Sequence, residues 1–582
     1  MFLEKINGIA DLKKVNRGNL PLLCQEIRTA LLAKLSQHGG HCGPNLGMVE
    51  LTTAMHFVFD SPTDKIVFDV SHQCYTHKIL TGRKDAFLFP EHYDDVNGFT
   101  NPSESEHDLF TVGHTSTALS LACGLAKARD LLGQTHNVLA VIGDGSLSGG
   151  EAYEGLNNIS EQGTNLIVVV NDNEMSIAEN HGGYYQNMQL LRQTQGKAKN
   201  NFFKALGFKY YYVEQGNDVE TLVKAFKKVK NAPYPVVLHV HTQKGKGFWA
   251  AEQNREKFHS GGPFSIEKGE YTYHGNGETY AKITHDFLVE KMKSDPTVVA
   301  ISSATPTIIG MNEQQRQAAG KQFVDVGICE EHAVAFAAGI AKGGAKPVYA
   351  VFGSFLQRSF DQLHQDLALD NNPATILVFL DGVFGMGGAT HNGLYDIAEL
   401  SNIPNLLYLA PTCKQEYLQM LAWSLEQREK SVAIRVPIFV TEGNVTWKNY
   451  AEAKSQVAQK GTDVAIFAVG SMFETGKKAV AQLAEKGIVA TLVNPVFVSG
   501  VDKQLVDDLK TNHKLFVTLE EGILEGGFGQ KIASYLGDSD VKVKNFGLEK
   551  SFFGDFDPHQ LLAENGLTAQ SVVSYVEKSL QK

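Results

Sequence analysis

Polar side chains suited to a divalent cation follow two apolar runs of the chain. The run VLAVI precedes a Gly-Asp144-Gly turn, and the run NLIVVV precedes Asn-Asp-Asn173. An isolated Gly-Asp-Gly favours a simple tight turn, but the spacing from Asp144 to Asn173 fits one β–α–β unit, which brings both side chains to the same end of neighbouring strands. Carboxylate and amide oxygens are ligands that Mg²⁺ prefers, and the glycines let a diphosphate approach the backbone. The sequence therefore predicts a metal and diphosphate site.

The elements that would position this site recur along the whole chain. Short β-branched runs ending in small or polar residues predict strands buried on both faces of a parallel sheet. Five such runs lie at 138–145, 165–173, 234–247, 373–382 and 462–471. Helix-like segments such as 331–344 and 473–487 alternate with strands. The pattern predicts an α/β fold with mostly parallel, doubly wound sheets, whose motif-bearing loops collect at the carboxyl ends of the strands.

Two polar segments with little periodicity, 258–280 and 442–461, predict linkers. They favour three domains: 1–270 for the diphosphate, 271–455 as a middle domain and 456–582 as a C-terminal domain. The segment 178–201 is rich in Asn, Gln and Gly, which predicts a mobile loop near the site.

The composition narrows the class of protein. The 582 residues include 53 Lys and Arg against 64 Asp and Glu, a formal net charge of −11, so nucleic acid and anionic membranes are poor partners. No apolar stretch is long enough to span a bilayer, and the N-terminus lacks the apolar core of a signal peptide. The six cysteines lie far apart without a C-x-x-C pair, which argues against a disulfide framework or a zinc ribbon. We expect a cytoplasmic, multidomain protein.

Longer motifs resemble a known family. The segments GGHCGPNLGMVELT, FDVSHQCYTHKILTGRKD, VGHTSTALSLACGLAKA, VNDNEMSIAEN, EEHAVAFAAG and SFLQRSFDQ are similar to the transketolase-like thiamine diphosphate enzymes and, within them, to the 1-deoxy-D-xylulose-5-phosphate synthases. The similarity runs nearly end to end. It implies a transketolase-type transferase of three α/β domains, with thiamine diphosphate and Mg²⁺ as cofactors. It also implies pyruvate and an aldehyde acceptor as substrates, a place in isoprenoid and thiamine precursor synthesis, and a homodimer.

The resemblance also implies which residues hold the cofactors. Mg²⁺ would be bound by Asp144, Asn173 and the carbonyl of Met175. The other cofactor-binding residues would be His72, Gly113, His114, Thr115, Ser116, Gly143, Gly145, Ser146, Lys244, Glu330 and Phe355. Phe355 would stack on the aminopyrimidine ring. Glu330, chosen over Glu331 by its register with the family motif, would stabilise the imino tautomer of that ring, whose nitrogen then takes the C2 proton. Without the resemblance, Glu330 is better explained as an acid favoured by a helix N-terminus.

Proton transfer would fall to histidines in loops that match the family. These are His41, His72, His259 and His391. The chain has 20 histidines, and a histidine chosen at random is more often structural. Arg358 matches an arginine suited to the carboxylate of pyruvate or to the acceptor. We expect Glu330 and Asp144 to meet within one subunit.

The acceptor half of the site departs from the family pattern. The family has an arginine where this chain has Gly382, and a second arginine where it has Ile438. It also has an aspartate a few residues before the histidine, in the stretch that here reads Gly387-Gly388-Ala389. Each lost guanidinium removes charge-assisted hydrogen bonds worth about 1.5–3 kcal/mol. Lys414 and Arg435 lie near these loops in sequence and are the candidates to compensate.

Three functions remain open from the sequence. The leading one is a carboligase that decarboxylates pyruvate and condenses the two-carbon unit with glyceraldehyde 3-phosphate, giving 1-deoxy-D-xylulose 5-phosphate. The first alternative is a transketolase-like enzyme with a ketose donor or a different, unphosphorylated acceptor, because Gly382 and Ile438 replace the expected arginines. The second is a catalytically silent binding or regulatory paralogue. The presence of Asp144, Asn173, Glu330 and His72 argues against the silent paralogue.

Overall fold

A computed structural model describes residues 2–273, 277–443 and 449–580. The chain divides into two compact units. The first contains residues up to 276 together with 327–329, and the second contains 277–326 and the chain from 330 onward. The boundaries of the three sequence domains stay a prediction.

The first unit is built on a parallel five-stranded sheet of order β1-β2-β3-β5-β4. Its strands are β1 (Lys65–Phe68), β2 (Val138–Gly143), β3 (Ile167–Asp172), β4 (Lys209–Val213) and β5 (Val236–His241), and an antiparallel pair β6 (Phe264–Ser265) and β7 (Glu270–Tyr271) follows. Its α-helices are Ile9–Leu12, Leu20–His38, Cys42–Gly47, Val49–Val58, Tyr75–Lys78, Asp85–Leu88, Ala118–Leu131, Gly150–Gln162, Gly183–Gln193, Phe202–Ala205, Val219–Val229 and Trp249–Gln253. Strands β2 and β3 are buried on both faces, as their β-branched runs predict.

One prediction for this unit is wrong and a second is confirmed only in part, because the boundary between the two units, after residue 276, does lie within the predicted linker 258–280. The segment 178–201 contains the helix Gly183–Gln193, whose Met188 and Leu191, three residues apart, are buried on one face. The abundance of polar residues concealed this short apolar face. The predicted linker 258–280 begins with a packed segment, because the rings of Phe258 and Phe264 are buried with their centroids 5.5 Å apart. Residues 274–276 of that linker lie outside the described residues.

The second unit contains two sheets. The first has the order β12-β13-β11-β10-β8-β9 and is parallel throughout. The second has the order β14-β16-β15-β17-β18 and is parallel except for its edge strand β14. The strands are β8 (Val298–Ser302), β9 (Phe323–Asp325), β10 (Lys346–Phe352), β11 (Thr375–Phe379), β12 (Leu406–Leu409), β13 (Ser431–Arg435), β14 (Gln456–Gln459), β15 (Val464–Ala468), β16 (Ala490–Asn494), β17 (Leu515–Ile523) and β18 (Lys542–Leu548).

The α-helices of the second unit cover both sheets. They are Tyr280–Ser294, Glu313–Ala319, Glu330–Lys342, Gly353–Leu356, Phe360–Gln362, Asp396–Leu400, Lys414–Glu426, Phe473–Glu485, Lys503–Lys510, Phe528–Tyr535, Pro558–Glu564 and Ala569–Leu580. The two sheets share a core. One cluster of buried side chains includes Tyr408 of strand β12, in the first sheet, together with Val493 and Phe516 of the second sheet. The backbone N–H of Ala410 also donates to the carbonyl of Val496 at 2.9 Å. Residues 444–448 of the second predicted linker lie outside the described residues.

The predicted α/β class and mostly parallel sheets are confirmed, and all five strands predicted from apolar runs are present. The helices predicted at 331–344 and 473–487 are Glu330–Lys342 and Phe473–Glu485. All six cysteines lie in the described part of the chain and none forms a disulfide. Within the described ranges, we find no helix with the length and apolarity needed to cross a bilayer.

Candidate active site

The β2–β3 edge of the first unit brings Asp144 and Asn173 together. Gly143 pairs with Asn171 in the parallel register of β2 and β3, so the loops that follow both strands leave the sheet side by side. The Asp144 carboxylate accepts hydrogen bonds from the backbone N–H of Asn173 at 3.4 Å and from Asn180 Nδ2 at 2.6 Å. The spacing argument for this pair is therefore confirmed as geometry.

The atoms at this edge fit a magnesium ion. Asn173 Oδ1 is buried and has no hydrogen-bond partner, which is costly unless a ligand satisfies it. Asp144 supplies one buried carboxylate beside it. Among the described residues no group of three or more His, Cys, Asp or Glu could hold a metal. A site with one carboxylate and amide or carbonyl oxygens suits Mg²⁺, which takes its other ligands from phosphate and water.

Charge at this edge also favours a cation. Burial, reinforced by the nearby Asp172 carboxylate, raises the pKa of Asp144 to about 8. Burial lowers the pKa of Lys244 to about 7, opposed by the attraction of Asp144. Lys244 Nζ donates to the carbonyl of Ser176 at 2.6 Å, which fixes the ammonium beside the loop that follows Asn173. A divalent cation would stabilise the ionised carboxylate, and a diphosphate would stabilise the ammonium.

Close packing around the loops requires glycine at two positions. A Cβ on Gly145 would lie 2.7 Å from Cβ of Ser176, and a Cβ on Gly149 would overlap Oγ of Ser116. Ser116 has a φ of 77°, its N–H donates to Asp69 at 2.9 Å and its Oγ donates to the carbonyl of Ser146 at 2.8 Å. These contacts tie the loop before helix Ala118–Leu131, which contains Gly113, His114 and Thr115, to the loop after β2.

Three of the predicted histidines form a cluster in the first unit. The ring centroids of His41 and His72 are 5.0 Å apart, those of His72 and His259 are 5.3 Å apart, and those of His41 and His259 are 5.8 Å apart. Burial, with a smaller contribution from Lys244, lowers the pKa of His41 to about 4. Burial also holds the pKa of His259 well below its usual value. Both rings are therefore neutral near pH 7.

The second unit contains the predicted acid. Glu330 is the first residue of helix Glu330–Lys342 and is buried. Burial raises its pKa to about 6, and the Arg358 guanidinium, whose Nη1 lies 3.3 Å from Glu330 Oε2, opposes that rise. The carboxyl is thus placed to exchange a proton near neutral pH.

Phe355 and His391 lie in the same unit as Glu330. Their ring centroids are 5.6 Å apart, and Phe355 follows the carboxyl end of β10 in the short helix Gly353–Leu356. The side chain of Thr390 contacts Nδ1 of His391 at 2.8 Å. Glu330, Phe355, Arg358 and His391 therefore come from loops and helix ends next to the carboxyl ends of the parallel strands, as the fold predicts.

The two candidate replacement cations are both engaged. Arg435, at the end of β13, binds the buried Asp396 through Nε at 2.7 Å and Nη2 at 3.2 Å. Lys414 forms an ion pair with Glu278 at 2.5 Å. Each of the two cations is therefore already paired with a carboxylate.

Sequence reasoning missed three residues of these sites. Asn180 binds Asp144, and its own motif VNDNEMSIAEN was the only available signal. Asp396 binds Arg435, and Glu521 accepts a hydrogen bond from the N–H of Val383 in the Gly382 loop. The two residues of each pair lie far apart in the sequence. Contacts of such sequence separation leave no local pattern.

Comparison with known proteins assigns the family. Residues 3–201 and 188–242 match the family described as 1-deoxy-D-xylulose-5-phosphate synthase. Residues 277–438 match the pyrimidine binding domain of transketolase, and residues 453–572 match the transketolase C-terminal domain. The chain is 40% identical to a 1-deoxy-D-xylulose-5-phosphate synthase from Symbiobacterium thermophilum, covering 100% of this chain and 95% of that protein. The chain belongs to the 1-deoxy-D-xylulose-5-phosphate synthase family.

A second member of the family gives the same result. The chain is 38% identical to 1-deoxy-D-xylulose-5-phosphate synthase 1 from Geobacter sulfurreducens, and the alignment covers 100% of this chain and 97% of that protein. Among solved structures, a transketolase from Leishmania mexicana aligns with 97% of each chain at 16% identity and a TM-score of 0.44. The family resemblance seen in the sequence motifs is confirmed, and with it the transketolase-like α/β fold and the dependence on thiamine diphosphate and Mg²⁺.

Proposed function

We propose that this chain decarboxylates pyruvate and condenses the two-carbon unit with an aldehyde, the reaction that gives 1-deoxy-D-xylulose 5-phosphate when the acceptor is glyceraldehyde 3-phosphate. It is a transferase of the transketolase type. The observation that supports the proposal most directly is the buried Asp144 beside the unpaired Oδ1 of Asn173, at the edge where a cofactor diphosphate would bring a metal.

In this proposal Asp144, Asn173 and the carbonyl of Met175 hold Mg²⁺, and Lys244, His72, His114 and Ser116 lie toward the cofactor. Bound thiamine diphosphate supplies a carbon nucleophile and an electron sink for decarboxylation. The glycines at 143 and 145 keep the diphosphate loop free of side chains. Binding of the cation would release the proton from the Asp144 carboxyl and stabilise its ionised form.

Glu330 moves the proton that activates the cofactor. Its carboxyl, with a pKa of about 6, is suited to hold a proton at the pyrimidine ring and to return it within one catalytic cycle. Phe355 would stack against that ring. Arg358 has the geometry to restrain Glu330, and it would also attract the carboxylate of pyruvate.

The histidine cluster would act as a neutral proton relay. His41 and His259 are buried and uncharged near pH 7, so each ring has one nitrogen that accepts and one that donates. His391 would serve the acceptor side.

We further propose that the enzyme is a cytoplasmic homodimer that supplies isoprenoid and thiamine precursors. The family membership supports this assignment. Light scattering of the purified chain would measure its mass, with twice the chain mass of 63.7 kDa expected.

The test of function uses the purified chain with pyruvate, glyceraldehyde 3-phosphate, thiamine diphosphate and Mg²⁺. Mass spectrometry should detect 1-deoxy-D-xylulose 5-phosphate in proportion to the CO₂ released. Glu330→Gln should retain the cofactor in equilibrium dialysis while exchange of its C2 proton slows by about 10²–10⁴-fold. The proposal is wrong if neither glyceraldehyde 3-phosphate nor any other aldehyde yields a ligated product.

A further inference from the structure

A cavity of about 110 Å³ lies in the second unit between the β11 loop and the C-terminal sheet. Polar groups of Asp381, Arg435, Ser471 and Glu521 line one part of it. Apolar side chains, including Ile438, line the rest. Gly382, at which the family resemblance implies an arginine, follows Asp381 directly.

Asp381 is a buried carboxyl without a partner. It is 2% exposed, and neither side-chain oxygen has a hydrogen bond. Its carboxyl lies against the Cα atoms of Gly353 and Gly393, where any Cβ would overlap it. An unsatisfied buried carboxyl costs free energy, which a ligand with hydrogen-bond donors would recover.

Glu521 presents a second carboxylate to the same cavity. One oxygen accepts from the backbone N–H of Val383 at 2.7 Å and the other from Ser471 Oγ at 2.5 Å. The side chain is 3% exposed. Two hydrogen-bond donors, neither of them charged, therefore fix this carboxylate in place.

The only cation that lines the cavity is Arg435, within the described residues, and another acid neutralises it. Its guanidinium binds Asp396 and donates to the backbone carbonyl of Glu521, not to the Glu521 carboxylate. Burial, reinforced by the nearby Asp396, holds the pKa of Asp381 well above its usual value, so the carboxylates that outnumber this one guanidinium are Asp396 and Glu521. The local charge disfavours a phosphate and favours hydrogen-bond donors that are neutral or positive.

The two glycines that contact the Asp381 carboxyl are close in sequence to residues proposed for catalysis. Gly353, which touches the Asp381 carboxyl, is two residues before Phe355, and Gly393, which touches it from the other side, is two residues after His391. Asp381 therefore contacts both segments that hold the second unit's aromatic and imidazole groups.

We propose that Asp381 and Glu521 bind the far end of the aldehyde acceptor, and that they select a terminal hydroxyl or ammonium group over a phosphate. This inference rests on the proposed carboligase activity and adds the acceptor class to it. A hydroxyl or ammonium group can donate hydrogen bonds to oxygens of both side chains, whereas the negative charge of a phosphate is repelled by Glu521.

The experiment measures ligation by the full chain with thiamine diphosphate, Mg²⁺ and saturating pyruvate. Two pairs of acceptors differ only at the terminus: glyceraldehyde 3-phosphate against D-glyceraldehyde, and 3-aminopropanal against 3-hydroxypropanal. We expect kcat/KM for D-glyceraldehyde to equal or exceed that for its phosphate. The second pair decides whether ammonium or hydroxyl is preferred.

A charge variant assigns the effect to the cavity. Glu521→Gln keeps the side-chain size and removes one negative charge, so the ratio of kcat/KM for glyceraldehyde 3-phosphate over glyceraldehyde should rise about tenfold. The matched control is Glu520→Gln on the same strand. Glu520 is also buried, but it accepts from the N–H groups of Phe528 and Gly529 and does not line the cavity. The control should leave the ratio unchanged.

The outcomes separate the two proposals. If CO₂ release and ligation occur but the wild-type chain prefers the phosphorylated acceptor, the inference about the cavity is wrong and the carboligase assignment stands. Absence of ligation with all four aldehydes would overturn both. The wild-type ratio decides the question even if a variant does not fold.

Discussion

Glu521 lies directly across the backbone from Gly382. A Cβ built on Gly382 would be 2.8 Å from Cδ of Glu521, and the φ of Gly382 is 105°, a conformation that side chains with a Cβ rarely adopt. An arginine could therefore replace this glycine only if the loop moved. Glycine at position 382 is thus required both by the backbone conformation and by the close approach of Glu521.

Ile438 is the position where a phosphate-binding cation can be restored. Ile438 lines the cavity, and its φ is not positive, so a residue with a longer side chain can adopt the same backbone conformation. Ile438→Arg should improve kcat/KM for glyceraldehyde 3-phosphate by about 10-fold or more, because one charge-assisted bond contributes about 1.5–3 kcal/mol. Steady-state kinetics with both glyceraldehyde and its phosphate would measure the change.

Ile438→Met is the matched control for that variant, since it lengthens the side chain without adding charge. It should change the use of both aldehydes alike. An equal gain for the phosphorylated acceptor in the Met and Arg variants would show that side-chain length, not charge, limits binding.

The proximity of Asp144 and Asn173 could be predicted from sequence because its geometry is local. Asp144 and Asn173 follow adjacent strands of one β–α–β unit, and the parallel register then sets their proximity. The environment of Arg435 could not be predicted in this way. Arg435 ends strand β13, its partner Asp396 begins the helix Asp396–Leu400, and the Glu521 carbonyl lies in the other sheet of the unit. Only the folded chain therefore shows that this arginine is neutralised.

The helix Gly183–Gln193 marks a second limit of sequence reasoning. Its composition is polar, and only Met188 and Leu191 are buried along it. Tyr185, on the same helix, donates a hydrogen bond to the carbonyl of Asp144 at 2.9 Å, so the segment directly supports the loop that follows β2. A composition-based prediction of a loop overlooks such a helix, because few apolar residues are enough to anchor one against an existing core.

The two glycines around Asp144 should respond differently to alanine. A Cβ at Gly145 would contact Ser176, whereas a Cβ at Gly143 would have no protein atom within 4 Å. Gly145→Ala should lower the free energy of unfolding of the cofactor-free chain by about 1–3 kcal/mol, and Gly143→Ala should change it by less than about 0.5 kcal/mol. Chemical denaturation would measure both.

Cofactor binding completes that comparison. If Gly143 is a glycine because the diphosphate passes close to it, Gly143→Ala should weaken thiamine diphosphate binding in equilibrium dialysis while leaving stability intact. Wild-type affinity in this variant would place the diphosphate elsewhere.

Mg²⁺ binding should depend on pH through Asp144. The pKa of this carboxyl, about 8, is raised by burial and then by Asp172, so at pH 7 the cation must displace a proton. Affinity for Mg²⁺ with thiamine diphosphate should therefore rise about tenfold per pH unit from pH 6 to 8 and then level off. Isothermal titration in buffers of different ionisation enthalpy would count the released proton.

The same pKa predicts the stability of the metal-free chain. Between about pH 4 and pH 8 the folded state keeps a proton on Asp144 that the unfolded state has lost, so stability falls as pH rises, by up to about 1.4 kcal/mol per unit. Asp144→Asn cannot titrate and should lack this slope. Parallel pH profiles for the variant and the wild-type chain would contradict the assignment of a raised pKa to Asp144.

The ion pair of Glu330 and Arg358 should set the pH dependence of catalysis. Burial raises the pKa of Glu330 to about 6, and the guanidinium 3.3 Å away holds it from rising further. Arg358→Gln removes that cation, so the limb of the kcat profile that belongs to Glu330 should move to higher pH by about one unit. Arg428→Gln is the control, because Arg428 is exposed and donates to the backbone carbonyls of Gly344 and Ala345. Its profile should match the wild type. A limb that stays in place in Arg358→Gln, yet disappears in Glu330→Gln, would mean that Arg358 acts on the substrate alone.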